Sequence, residues 1–246
     1  MARPTLALTG IRLAITAIFT SLVCVATMVF SIYVPQTRGF FNIGETMVYI
    51  TALLFGPLIG AFAGGVGSMF ADLLLGYPQF APATLIIKAC EGGIVGVLGR
   101  KRLKFGSKLQ WKAFTFAVGL ITGVLLGGIG SLYYSGPVEF YLGYLPENPT
   151  SILFIPPIFW YSIGALVVLL IALTGFVFEP EFGWLILTIL VGGLEMVTGY
   201  FLYEQFFLGV AAIAEIPVNI GQMTVGLVVS VPVVRAVWRS LPSLRY

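Results

Sequence analysis

Read for its alternation of apolar and polar positions, the chain is a series of long apolar runs separated by short breaks of proline, glycine or charge. The first run is uncharged from Leu13 to Thr37. About 20 apolar residues in a helix cross a hydrocarbon core of about 30 Å, so this run has the length of a membrane span. It is too long for the apolar core of a cleaved leader, and Val23 before Cys24 does not suit a lipoprotein cleavage site. It is therefore read as a first helix over about residues 11–34, ended by Pro35 and followed by a loop to Asn42. A second helix, about 44–55, is short for a span and reads equally as a re-entrant segment. Gly56-Pro57 stops it, and Pro57 suits the first turn of a third helix over about 57–75. Gly76-Tyr77-Pro78 turns the chain into a fourth, about 82–99. Further runs over about 113–132, 151–175, 183–204 and 217–238 complete seven or eight transmembrane segments. The fold class that follows is an all-α integral membrane protein, a single transmembrane domain over residues 1–246.

Composition sharpens this picture. With 59% apolar and 9% charged residues against the usual ~25% charged, no stretch provides an aqueous domain. Eleven of the thirteen Lys and Arg residues sort to one side, with Arg38 outside and Lys88 within a helix. With the N-terminus inside, Arg3, Arg12, the cluster Arg100, Lys101, Arg102, Lys104, Lys108 and Lys112, and Arg235, Arg239 and Arg245 all fall on one face. That is a positive-inside signature, and it places both termini in the cytoplasm. The chain has no His, which disfavours transition-metal sites, and no phosphate-binding G-x-x-x-x-G-K-[ST]. No metal, cofactor or nucleic acid is expected. Cys24 and Cys90 lie in apolar runs and read as small core residues.

The informative stretch is Gly39–Arg100. Glu45, Asp72, Lys88 and Glu91 occur within or beside hydrocarbon-compatible sequence, where a charge costs about 2.5–3.5 kcal/mol on insertion scales. Gly56, Gly60, Gly64, Ser68 and Asp72 recur every fourth residue and form one small-residue ridge that ends in a carboxylate. Gly119, Gly123 and Gly127 repeat the spacing. With the orientation fixed, Glu45, Asp72, Lys88, Glu91, Asn219 and Gln222 concentrate in the outer half of the membrane, and Phe40, Phe41, Asn42 and Tyr77 flank the opening. This convergence predicts an outward-facing pocket. The plainer readings are ion pairing of Lys88 with Asp72 or Glu91, interhelical bonding by Asn219 and Gln222, and packing by the glycines. If the Lys88 ammonium serves the ligand, Lys88→Met leaves the protein folded and weakens binding at least tenfold. On the cytoplasmic side of the first helix, Gly10, Ala14, Ala17 and Ser21 offer small residues to a neighbouring helix.

The segments F-N-I-G-E-T through L-F-G-P-L-I-G, G-S-M-F-A-D-L-L-L-G, P-A-T-L-I-I-K-A-C-E-G-G-I-V-G and I-P-V-N-I-G-Q-M-T-V-G cover about half the chain. In these segments the chain resembles the substrate-capture subunit, or S component, of energy-coupling factor (ECF) vitamin transporters. The resemblance implies a six-helix core, here with two helices inserted between residues 111 and 205. It implies a prokaryotic multi-pass cell-membrane protein that binds a vitamin or related micronutrient from outside, near Phe40 to Glu45, Asn219 and Gln222. Its partners would be a membrane scaffold subunit and two ABC-type ATPases. The family's docking contact lies on the first helix, where this chain has Gly10/Ala14 and Ala17/Ser21 but not the A-x-x-x-A motif. The competing function is an autonomous secondary transporter in which Asp72, Glu91 or Glu195 relays protons. An enzyme is disfavoured, because no nucleophile–base arrangement is recognisable. The sequence does not name the ligand.

Overall fold

The computed structural model describes residues 4–34, 39–101, 107–140, 151–177 and 180–244. Arg3, Arg38, Arg102, Lys104, Glu179 and Arg245 lie outside the described residues. Among the described residues eight α-helices run in chain order: α1 Pro4–Val29, α2 Glu45–Phe55, α3 Pro57–Leu74, α4 Ala81–Arg100, α5 Lys108–Tyr133, α6 Pro157–Val177, α7 Pro180–Leu208 and α8 Glu215–Ser240. All but α2 are long and apolar enough to cross a membrane. A 3₁₀ turn over 209–214 joins α7 to α8.

Two short hairpins correct the sequence reading. The first helix ends at Val29, not near residue 34, because Ser31–Val34 (β1) pairs antiparallel with Gly39–Asn42 (β2). The sixth helix begins at Pro157, not 151, because Ser151–Ile155 (β4) pairs with Gly136–Phe140 (β3). Both strands are runs of apolar residues that read as helix until a partner strand satisfies their backbone. The β1–β2 hairpin also explains why α2 is short. Arg100 Nη2 donates to the Phe55 carbonyl at 3.1 Å, so α2 and α4 end at one level. At the other end Glu45 pairs with Lys88, the eighth residue of α4. Seven residues of α4, about 10 Å at 1.5 Å per residue, therefore rise above the start of α2, and the hairpin fills that depth. Glu45 thus opens α2 at its outer end, as read from the sequence, but about 10 Å below the outer end of α4.

The glycine ridge brings α3 and α4 into close contact. A Cβ on Gly60 would lie 2.8 Å from the Gly92 carbonyl oxygen, and one on Gly64 would lie 2.8 Å from that of Lys88. Gly67 on the next face meets α1 at Thr20 and Val23. Between α2 and α3, Gly56 has φ 85°, a left-handed conformation that other residues enter at a cost. Gly119, Gly123 and Gly127 pack in the same manner on α6 around Gly164 and Val168. The α5–α6 pair packs mainly on itself and touches the other helices chiefly through α5 on α8. It is thus the peripheral pair beside a six-helix assembly of α1–α4, α7 and α8. Gly64→Leu is expected to force α3 and α4 apart at a cost of about 1–3 kcal/mol, the usual range for overpacking. Gly128→Ala, with nothing within 4 Å of its Cβ, should be neutral or better. Thermal melts of both variants in detergent micelles check this.

Cys24 and Cys90 are free thiols; Cys90 is exposed on α4, contrary to the core position expected for it. The described basic residues of the cytoplasmic set (Arg12, Arg100, Lys101, Lys108, Lys112, Arg235 and Arg239) lie at the ends of the bundle reached by the start of α1, the end of α4, the start of α5 and the end of α8. The polar interior lies toward the opposite ends.

Candidate ligand cavity

At the floor of that interior, Lys88 projects from α4 between two carboxylates. Its ammonium pairs with Glu45 of α2 and, at 3.0 Å, with Glu91 Oε2 one turn along its own helix. The Tyr49 hydroxyl donates to Glu91 Oε1 at 2.8 Å. All four side chains are buried. Two carboxylates around one ammonium form a compact ion-paired group that offsets part of the charge, and such pairing is the usual condition for keeping ionisable residues inside a membrane. Of the two partners expected for Lys88, Glu91 is used and Asp72 is not. Asp72 is in hydrogen-bonding contact with Thr84 on α4, which also receives the Tyr200 hydroxyl of α7 at 2.9 Å. The Tyr200 ring also faces the ammonium, with its centroid 5.6 Å from Lys88 Nζ.

Above this floor lies a small cavity of about 40 Å³, lined by Gly39, Phe40, Asn42, Asp72, Phe80, Thr84, Lys88, Tyr200, Glu204, Glu215, Asn219 and Gln222. Six of the sequence-predicted residues meet here: Phe40, Asn42, Asp72, Lys88, Asn219 and Gln222. Asn219 and Gln222 sit three apart on α8, and Gln222 Nε2 donates to Asn219 Oδ1 at 2.8 Å. The Asn42 backbone N–H donates to Gln222 Oε1 at 3.3 Å. Asn42 Oδ1 receives the Gly44 N–H at 2.8 Å, turning the chain into α2. These amides therefore tie the hairpin to α8 while lining the cavity. Glu45 and Glu91 lie beneath it, behind Lys88. Tyr77 stands behind Phe40, ring centroids 4.8 Å apart, and burial pushes its phenol up to about 12, so it stays neutral.

Phe41 is not in this cavity. Side chains alternate along a strand, so Phe40 turns to the polar side and Phe41 to the other, against Gly221 of α8. There it lines a separate cavity of about 420 Å³ whose walls include Tyr134, Phe159, Trp160 and Val218. Among the described residues that wall carries no charged side chain. At the end of the bundle that carries Arg12, Gly10, Ala14, Ala17 and Ser21 are all exposed on α1.

Sequence reasoning missed Phe80, Thr84, Tyr200, Glu204 and Glu215. Glu204 and Glu215 fall at the edges of the last two apolar runs, where charges are commonplace, and residues 205–216 read as a loop. The structure instead continues α7 to Leu208 and begins α8 at Glu215, so both carboxylates are buried. The signal available was the orientation, which puts both at the same outer end as Asn219 and Gln222.

Compared with known proteins, the chain is similar over 107 residues to an uncharacterized protein in the gap 3' region of Pyrococcus woesei, at 42% identity. The similar part is 44% of this chain and 64% of that protein, so the chain spans less than two thirds of that relative. Among protein families, residues 8–176 match the ECF-type riboflavin transporter, S component. The match takes in α1 through most of α6 and therefore the ion-paired floor, Phe40, Asn42, Asp72, Phe80 and Thr84. S components are the substrate-binding membrane subunits of ECF transporters, and a polar cavity enclosed by apolar spans is what such a subunit requires. With more than half its length matched, this chain belongs to the family of ECF-type riboflavin transporter S components.

Proposed function

We propose that this chain captures a vitamin-class micronutrient from the outer side of the cell membrane and passes it inward with a scaffold subunit and two ABC-type ATPases. The observation that carries this reading is the cavity itself. Polar side chains from β2, α3, α4, α7 and α8 converge at the end of the bundle opposite the basic residues. A protein that only packed helices would not place Asp72, Lys88, Glu204, Glu215, Asn219 and Gln222 around one space. Riboflavin, named in the family description, is the first ligand to test. Ligand pockets usually enclose about 300–1,000 Å³, so a ring system enters this one only if wall side chains such as Phe40 swing aside. The exposed seam of Gly10, Ala14, Ala17 and Ser21 is the face we assign to the scaffold.

The chain offers no site for ATP hydrolysis of its own in the form of a P-loop. Uptake of riboflavin, or of whichever vitamin is retained by gently purified protein and identified by mass spectrometry, is therefore expected to require co-reconstituted scaffold and ATPases with ATP. It should persist when a protonophore collapses the proton gradient. Protonophore-sensitive uptake by the chain alone would overturn the proposal in favour of a proton-coupled carrier using Asp72, Glu91 or Glu195.

A further inference from the structure

An apolar seam runs between α6 and α8. Its outer part is the cavity of about 420 Å³, walled by Phe159, Ile163 and Val167 of α6 and by Val218, Gly221 and Thr224 of α8. Its inner part, about 290 Å³, lies between Leu170 and Val177 of α6, Ile186 and Leu190 of α7, and Leu227 and Val231 of α8. Thr224 borders both parts. Val218, Gly221, Thr224, Val228 and Val231 recur at steps of three and four, so they form one stripe along a single face of α8. From Pro217 to Pro232 the stripe is about 22 Å long at 1.5 Å per residue. That is most of a hydrocarbon core of about 30 Å. Among the described residues α6 and α8 do not pack closely on one another; the α5–α6 pair is held to α8 through α5.

The polar side chains along the seam are turned to the protein's own backbone. The Tyr134 hydroxyl donates to the Ala214 carbonyl, Trp160 Nε1 to the Tyr134 carbonyl at 2.9 Å, and the Thr224 hydroxyl to the Ile220 carbonyl at 2.8 Å. Among the described residues no charged side chain lines either part. An apolar space stays free of water, and lining atoms that face a void forfeit their dispersion contacts. The matching occupant is hydrocarbon. It is not a helix, since a cylinder about 10 Å wide and about 22 Å long takes about 1,700 Å³, against 420 and 290 Å³ here. That sets aside a second copy of the chain and a scaffold helix. A single hydrocarbon chain is long and thin enough. Its source is the bilayer, because the seam opens onto the lipid-facing surface: Leu170, Leu173 and Val228 line it and are also exposed on spanning helices. Ile171, Ile186 and Leu227 line it and are buried, so the seam runs deeper than that surface.

We infer that this seam holds a hydrocarbon chain of a membrane lipid, a wedge that joins the α5–α6 pair to the six-helix assembly. At its outer end the chain abuts Phe41, on the strand whose opposite face turns Phe40 to the polar cavity. The lipid site is independent of which ligand that cavity captures.

The test adds lysophosphatidylcholine with a palmitoyl or a hexanoyl chain to the lipid-stripped full chain in detergent micelles and follows thermal unfolding. The palmitoyl lipid should raise the melting temperature of the unmodified protein and the hexanoyl lipid should not, since only the longer chain fills the seam. Native mass spectrometry of protein purified from membranes should show a retained phospholipid. Thr224→Trp plugs the junction of the two parts, and Val228→Trp blocks the exposed rim. Each should lower that retention at least tenfold and remove the palmitoyl shift. Leu169→Trp, at an exposed position of α6 that does not line the seam, should change neither. If Thr224→Trp does not fold, Val228→Trp decides. Equal shifts with the two lipids, no retained phospholipid, or retention unchanged in both seam variants overturns the inference. A retained vitamin lost in Thr224→Trp would overturn it by making the seam part of the capture site, and a dimer lost in that variant would do so by seating a second copy there.

Discussion

Lys88→Met is expected to destabilise the protein by about 3–5 kcal/mol, the range for removing one partner of a buried ion pair. The sequence alone predicts a folded protein that merely binds less well, and the geometry reverses that expectation. Lys88 is 5% exposed and its ammonium contacts Glu45 and Glu91, themselves 1% and 0% exposed. Methionine fills the space of the stem but leaves two carboxylates in an apolar interior with only the Tyr49 hydroxyl donating to one of them. The compensating change follows from the same reasoning. Adding Glu45→Gln and Glu91→Gln removes the stranded charge, and a neutral version of a buried ion group is often as stable as the original. The triple variant should therefore recover most of the lost stability, read as melting temperature and as the yield of monodisperse protein. Lys88→Met melting like the unmodified protein would show that the ion group contributes nothing. A triple variant no better than the single one would show that Lys88 acts through something other than charge. The triple variant also separates two roles: restored folding without restored ligand binding identifies the ammonium, which borders the cavity, as a ligand contact.

That reversal shows where a single sequence stops informing. The spans were legible because twenty-residue apolar runs and their Gly-Pro breaks leave few alternatives, and α2, α3 and α4 start and stop within two residues of their predicted bounds. Asp72, Lys88 and Glu91 were conspicuous because a charge in an apolar run is expensive wherever it points. Their partners were not legible. Lys88 and Glu91 sit three apart on one helix, which spacing reveals, but Glu45 is 43 residues from Lys88 and meets it only because the β1–β2 hairpin carries the start of α2 below the surface. The hairpin was itself hidden, since Ser-Ile-Tyr-Val continues an apolar run and only its pairing with Gly39–Asn42 makes it a strand. Phe40 and Phe41 read together as pocket residues in the sequence for the same reason: on a loop both could face the ligand, on a strand they face opposite ways. Glu204 and Glu215 escaped because charges at the ends of spans are cheap and carry little information.

Changes on α1 are expected to have the largest effect on transport with the least effect on the cavity. Among the described residues α1 is the least covered of the seven long apolar helices, with 11% of its span buried against 29–50% for the others. One face meets α3, where Gly67 accommodates Thr20 and Val23. Gly10, Ala14, Ala17 and Ser21, spaced four, three and four residues apart, form a second, exposed seam. If that seam met only lipid tails, large apolar side chains would serve it as well as they do at Leu13, Ile18 and Leu22 nearby. Small residues matter where another helix must come close, because there they set the distance between backbones. Ala14→Trp or Ala17→Trp should accordingly lower ATP-dependent uptake at least tenfold and abolish co-purification of the scaffold subunit. Ligand affinity of the isolated chain should stay within a factor of two. Leu22→Trp, exposed on the same helix but about 100° around from the seam, should leave uptake unchanged. If Ala14→Trp and Ala17→Trp instead lose ligand binding along with uptake, the seam supports the fold of the chain itself and the scaffold docks elsewhere.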